Sequence, residues 1–155
     1  MNNTGRYKLI YTILTKQKFA VLATDNEQKP YANLVAFALI DDLENIVFAT
    51  NRNTQKYSNI ITNPNVVLLF DSRTNGSSDL SSAIAISAIG LATVTSEEEK
   101  CNLVPSFAEK HPNLNGFIKS KKTAIIKVSI REYFIARFRS VERVQIKTVK
   151  RIRGK

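Results

Sequence analysis

The chain of 155 residues is 43% hydrophobic and 23% charged, with one cysteine and a net charge of +10. This balance fits one globular domain with its own core, and it excludes a disordered chain or a disulfide-stapled scaffold. The longest uncharged stretch, Leu80 to Ser96, is broken by Ser, Thr and Gly and is shorter than the ~20 apolar residues of a spanning helix. No continuous apolar run accompanies Arg6, Lys8, Lys16 and Lys18, so no signal peptide is expected and the cytoplasm is the default location.

In chain order, Thr4 to Lys16 reads as an amphipathic helix with Ile10, Ile13 and Leu14 on one face and Thr4 as its cap. Phe19–Thr24 is a short strand, followed by a turn over Asp25–Lys29. Pro30–Ile40 is a second strand, Asp41–Asn45 a hairpin loop, and Ile46–Thr50 the returning strand. Thr54–Thr62 fits a short helix stopped by Asn63-Pro64, since proline disfavours a helical residue before it. Val66–Asp71 is a strand and Ser72–Ser82 has loop composition. Ala83–Thr95 is a β-rich run in which Gly90 suggests a bulge or bend. Ser96-Glu97-Glu98-Glu99 reads as a capping box, opening a helix to about Lys110 with Pro105 as a point of interruption. Thr123–Ile130, Tyr133–Phe138 and Arg143–Val149 end the chain as strands.

Six or more β segments in hairpin order, with short helices between them, argue for an antiparallel barrel of the α+β class in a single domain, 1–155. Phe19–Thr24 and Val66–Phe70 lack strict alternation, so both faces of these strands need cover. The barrel interior supplies one cover, and helices or a second subunit the other.

The charge is uneven. Residues 1–118 carry ten basic and eleven acidic residues, whereas residues 119–155 carry thirteen basic and two acidic ones. Lys147 to Lys155 holds five positive charges and no negative one. Such a block attracts phosphates on a small ligand or a nucleic acid. No aromatic residue follows Phe138 to stack on a base, so a solvated basic tail is the preferred reading and nucleic acid is not expected as a partner.

The segment Ile46–Phe70, IVFATNRNTQKYSNIITNPNVVLLF, runs strand, polar loop, short helix, Asn-Pro stop, strand. A helix N-terminus leaves free amides and a partial positive charge. With the Thr50 hydroxyl and the Lys56 ammonium it can hold a phosphate monoester, or it can be no more than a helix cap. The strand Pro30–Ala38, PYANLVAFA, offers small and apolar positions at Val35 and Ala36. It reads equally as an ordinary core strand or as a flat wall for a planar heterocycle. Single residues of the other chemical types complete the list. His111 in a Lys-His-Pro turn is expected to be exposed, and Cys101 to pack on the inner face of its helix. The three glutamates at 97–99 suit the helix dipole.

The run Lys29–Phe70 resembles the FMN-binding half of the pyridoxamine 5'-phosphate oxidase-like split barrels. It carries Pro30-Tyr31 opening a strand of form Asn33-x-Val35-x-Phe37, the hairpin, Ile46–Asn51, and Thr54-Gln55-Lys56 at the helix start. Asn63-Pro64 and Val66–Phe70 follow. The resemblance implies a six-stranded split β-barrel that works as a homodimer, with FMN at the dimer interface. It implies that Asn33, Leu34, Val35, Ala36 and Phe37 line the isoalloxazine and bond its polar edge through the backbone. It further implies that Ala49, Thr50 and Asn51 lie beside the ring and ribityl phosphate, and that Gln55 and Lys56 contact the phosphate.

The family's true oxidases carry arginine at the positions of Asn33 and Gln55, lysine at Ala38, and glutamine where Ala85 aligns; this chain also has no Trp. These changes remove substrate contacts and one bidentate phosphate donor. The expectation is therefore an FMN-dependent oxidoreductase acting on some other small molecule. The competing readings are a deazaflavin in place of FMN, a flavin carrier without turnover, and a polyanion binder using the basic C-terminus.

Overall fold

A computed structural model of the chain describes residues 1–146. The basic segment 147–155, and with it the end of the strand expected over Arg143–Val149, lies outside the described residues. Helix α1 (Asn3–Lys16) precedes strands β1 (Phe19–Asn26), β2 (Lys29–Ile40) and β3 (Asn45–Asn51). Helix α2 (Gln55–Thr62), β4 (Asn65–Asp71), α3 (Asp79–Ser82) and β5 (Ala85–Val94) follow. Then come α4 (Glu97–Lys110), a 3-10 turn (Pro112–Leu114), α5 (Asn115–Lys119), β6 (Thr123–Arg137) and β7 (Ser140–Gln145).

The sheet order is β3-β2-β1-β4-β5-β6-β7, every neighbouring pair antiparallel, and β3 also pairs with β6. Six strands therefore close into a barrel, and β7 is added outside the closure on β6. Alternate residues of each strand fill the interior, including Leu22, Phe37, Phe48, Leu68, Phe70 and Ile86, all buried. Helix α1 adds Ile10, Ile13 and Leu14 to that core, and α2 adds Ile60. A second apolar cluster lies outside the barrel, where Leu103 and Phe107 of α4 and Ile118 of α5 cover Ala38, Val47 and Ile125. Helices thus cover the outer face of β2, β3 and β6, but not that of the two strands expected to need it, β1 and β4, where Val67 and Leu69 of β4 are only half-buried. On β1 and β5 the outward side chains Phe19 and Leu91 stay exposed.

Several expectations are corrected in detail. The α1 cap is Asn2, whose Oδ1 accepts from Gly5 N at 2.8 Å, not Thr4, which lies inside the helix. The β1–β2 connection is a two-residue turn, Glu27 and Gln28 both at positive φ. The hairpin twist imposes that conformation even without the Asn-Gly signal that normally announces it. Within the expected loop 72–82, Asp79 accepts from the amides of Thr74 and Asn75 and opens the short helix α3. Helix α4 runs through Pro105, whose ring is on the exposed side. Only half of the capping box forms. Ser96 Oγ accepts from Glu99 N, but the Glu99 carboxylate pairs with Lys127 of β6.

The two strands expected around residues 123–138 are one strand, β6, continuous through the bulge. Ile89 faces Glu132 and Gly90 faces Ile130, so Arg131 is the extra residue. Cys101 is exposed, because the apolar stripe of α4 runs through 103, 104, 107 and 108 and leaves 101 off it. His111 is buried rather than exposed, with its Nε2 2.8 Å from the carbonyl oxygen of Phe37. Among the described residues no helix is long and apolar enough to cross a membrane.

Candidate functional site

The site is built on a change of partner along β2. Residues 29–36 ladder with β1, ending at Ala36 opposite Phe19. Residues 37–40 ladder with β3, starting at Phe37 opposite Phe48. Past Phe48, residues Ala49, Thr50 and Asn51 of β3 ladder only with β6, opposite Ile125, Ala124 and Thr123. The β2–β3 seam therefore opens at Phe37/Phe48 into a notch. Ala36 and Ala49 are half-buried at its start, packed against the edge of the helix-covered cluster.

Strand alternation sorts the residues expected on β2. Val35 and Phe37 point into the barrel core, so only their backbone can meet a ligand. Leu34 points outward and is 67% exposed, and Ala36 shares its face. Asn33 is half-buried, its Nδ2 donating to Leu34 O at 3.3 Å, while its Oδ1 is buried without a hydrogen-bond partner. Such an orphaned acceptor costs stability unless something donates to it.

The polar corner follows. Thr54 caps α2, its hydroxyl accepting from Tyr57 N and donating to Asn51 O at 2.8 Å. Thr50 is buried, and its hydroxyl lies 2.9 Å from that of Thr54. Asn51 Oδ1 accepts from Asn53 N at 2.9 Å, which fixes the turn. Gln55 Nε2 donates to Asn59 Oδ1, and Asn59 Nδ2 donates to Thr24 Oγ1, so the Gln55 amide is engaged in a chain that ties α2 to β1. Lys56 is half-buried in the first turn of α2 and has no carboxylate partner among the described residues. Burial pulls the pKa of its ammonium below the usual lysine value. A nearby anion would relieve that cost.

The structure brings in residues that sequence reasoning missed. Arg52 N donates to Lys122 O at 3.0 Å, so the turn Lys119–Lys122 lies alongside the Thr50–Lys56 corner. The Arg52 guanidinium donates to Tyr57 OH. Among the described residues no ion pair neutralises Arg52, Lys119, Lys121 or Lys122. The Lys-Ser-Lys-Lys run was visible in the sequence, but its position depends on the β3–β6 register.

At the opposite end of the notch, Lys110 Nζ sits 3.7 Å from the centroid of the Phe37 ring, in a cleft bordered by Tyr11, Asp42 and Glu109. Burial lowers its pKa from 10.5 to about 8. Between those two values the unfolded chain holds a proton that the native protein has released, so stability gains with rising pH across that window. Wild type compared with Lys110→Met by chemical denaturation is expected to gain stability as pH rises from 8 towards 10.5. A flat difference would place the amine in water.

A closed antiparallel barrel with one strand handed between partners, and a polar corner at the opening, defines a split-barrel protein of the α+β class. The family profile described as pyridoxamine 5'-phosphate oxidase matches residues 8–135, and the chain belongs to that family. No curated protein sequence matches it significantly.

Solved structures share the fold. A heme binding protein from Mycobacterium smegmatis aligns with a TM-score of 0.81 at 13% identity, over 92% of this chain and 58% of that one. General Stress Protein 26 from Bacillus anthracis str. Sterne aligns at 0.69 with 22% identity, over 90% and 98%. A protein related to general stress protein 26 from Clostridium acetobutylicum aligns at 0.75 with 14% identity, over 96% and 99%. The chain thus spans little more than half of the mycobacterial protein. At these identities the likeness is one of fold, on which different functions are built.

Proposed function

We propose that the chain binds FMN in the notch between β2 and β3 and acts as an oxidoreductase on a small molecule. The observation that carries this reading is Lys56, a half-buried ammonium without an acidic partner among the described residues at the start of α2. Lys56 and the amides at the helix start would hold the phosphate. Ala36 and Ala49 would leave room for the ring, and the backbone of the Asn33–Phe37 stretch would bond its polar edge. A bound flavin supplies hydride and electron transfer, while the protein supplies binding, orientation and exclusion of water.

Asn33, Gln55 and Ala38 replace the charged residues typical of the family's true oxidases, which favours a substrate other than pyridoxamine 5'-phosphate. A haem reading, raised by the mycobacterial neighbour, is disfavoured by His111. It is the chain's one histidine, and its Nε2 is committed to the Phe37 carbonyl.

Titrating the apoprotein with FMN while following flavin fluorescence tests the proposal, and a saturable change at micromolar concentration is expected. No change would end the FMN reading. The visible spectrum and the mass of any ligand released on denaturation would then separate a deazaflavin from no cofactor.

The partner wall is a second copy of the chain. Phe19 and Leu34, 57% and 67% exposed, lie on adjacent strands beside the notch, and Leu91 continues the apolar surface on β5. A homodimer with more than ~2,000 Å² buried is expected, and Leu34→Glu should shift sedimentation towards monomer and weaken FMN binding together. A wild-type monomer that binds FMN normally would contradict the shared site.

A further inference from the structure

Two consecutive residues at the end of α4 grip the residue at which β2 changes partner. Ala36 is the last position laddered to β1 and Phe37 the first laddered to β3. The Phe37 carbonyl lies 2.8 Å from His111 Nε2, and because a carbonyl oxygen only accepts, that nitrogen carries the hydrogen. His111 is 8% exposed, and its imidazole packs against the Phe107 ring at 4.9 Å between centroids. Its backbone is fixed as well, His111 N donating to Phe107 O and His111 O accepting from Leu114 N. On the other side, Lys110 places its ammonium over the Phe37 ring, 3.5 Å from Leu14 O.

The packing of α4 does not require this grip, since Leu103 and Phe107 already bury the helix on β2, β3 and β6. What the grip does fix is the point where the seam opens. Without a side-chain donor, the buried Phe37 carbonyl would have to find another partner. Local movement of β2 at Phe37 or entry of water would supply one, and either disturbs the point where the seam opens, beside Ala36 and Ala49.

We propose that His111 is a positioning residue for the notch, acting through the Phe37 backbone, with Lys110 holding the ring of the same residue. The consequence for a cofactor rests on the FMN reading above; the consequence for the strands does not. His111 acts on the ring end of the notch, whereas Lys56 acts on the phosphate end. The two therefore separate by ligand.

His111→Ala is expected to weaken FMN and riboflavin alike, by about tenfold, the scale of one buried hydrogen bond. His111→Gln, whose amide can reach the same acceptor, should recover most of the loss. Lys110→Met should weaken both ligands to a lesser degree. Binding is measured on the full chain well below each variant's unfolding midpoint, so that lost stability is not read as lost affinity. Unchanged affinity in a folded His111→Ala protein, or equal loss in the Gln variant, would overturn the proposal.

Should wild type bind neither flavin, amide hydrogen exchange on the protein alone decides. Faster exchange confined to residues 34–38 and 47–51 in His111→Ala supports the positioning role. Exchange unchanged there, or raised evenly along β4 as well, overturns it. If the alanine variant does not fold, the same exchange comparison is made with Lys110→Met, and with His111→Asn, whose amide is too short to reach.

Discussion

Lys56→Ala should weaken FMN binding by about 1.5–3 kcal/mol, roughly 10- to 150-fold, and leave riboflavin binding nearly unchanged. The magnitude is that of a hydrogen bond to a charged group. Nothing else described is positioned to replace it in full. Gln55, which stands where the family's oxidases carry an arginine, has its amide tied to Asn59. The Thr50 and Thr54 hydroxyls already bond each other and the Asn51 carbonyl. Arg52 and the lysines at 119, 121 and 122 border the corner from across the β3–β6 ladder. Their longer-range attraction should make FMN affinity fall with added salt, and in Lys56→Ala that dependence should be shallower but still present. Fluorescence titration of both flavins at two ionic strengths reads all of this. A variant that loses both ligands equally would place Lys56 in the fold of α2 and not in the phosphate site.

The polar corner at the start of α2 was legible because its hydrogen bonds are local. Thr50 through Lys56 spans one strand end, one turn and one helix start, and the Asn63-Pro64 stop fixes the helix length. The order of the β segments was legible for a similar reason, since each hairpin pairs neighbours in sequence. What escaped the sequence was long-range. The barrel closure joins β3 to β6, about 80 residues apart, and only that register places Lys122 beside Arg52.

His111 escaped for the same cause. A Lys-His-Pro turn in isolation looks like solvent-exposed punctuation. Its burial follows from where α4 ends on the barrel, 74 residues from the carbonyl it bonds. The inward and outward sorting of Asn33 to Phe37 was hidden by composition, because both alternating sets hold apolar residues. Alternation divides Val35 and Phe37 from Leu34 and Ala36, and only the closed barrel shows which set faces in.

Gly90→Ala is expected to destabilise the protein by about 1–3 kcal/mol, the usual cost of forcing extra volume into a packed interior. The glycine is not there for its backbone freedom, since no glycine among the described residues has a positive φ. It is there for close approach. A Cβ at residue 90 would lie 2.5 Å from Ser129 O and 2.8 Å from Val128 Cγ1. The valine can turn only between a few rotamers, and the carbonyl belongs to a strand held on both sides. Ser129 ladders with Leu91 on one edge and with Asn45 on the other, and its hydroxyl donates to Asn45 Oδ1. Next to it, Ile130 N donates to Glu44 O at 2.9 Å.

Relief must therefore come from moving β5 away from β6, or β6 away from β3, and either loosens the barrel closure. In a chain of this length the loss should appear as a fall in Tm of roughly 2–4 °C per kcal/mol. FMN affinity measured well below Tm should change little, because Gly90 lies on β5, which contributes no residue to the Lys56 corner. Wild-type stability in Gly90→Ala would show that the bulge at Arg131 absorbs the methyl group, and that the closure is softer than its paired registers imply.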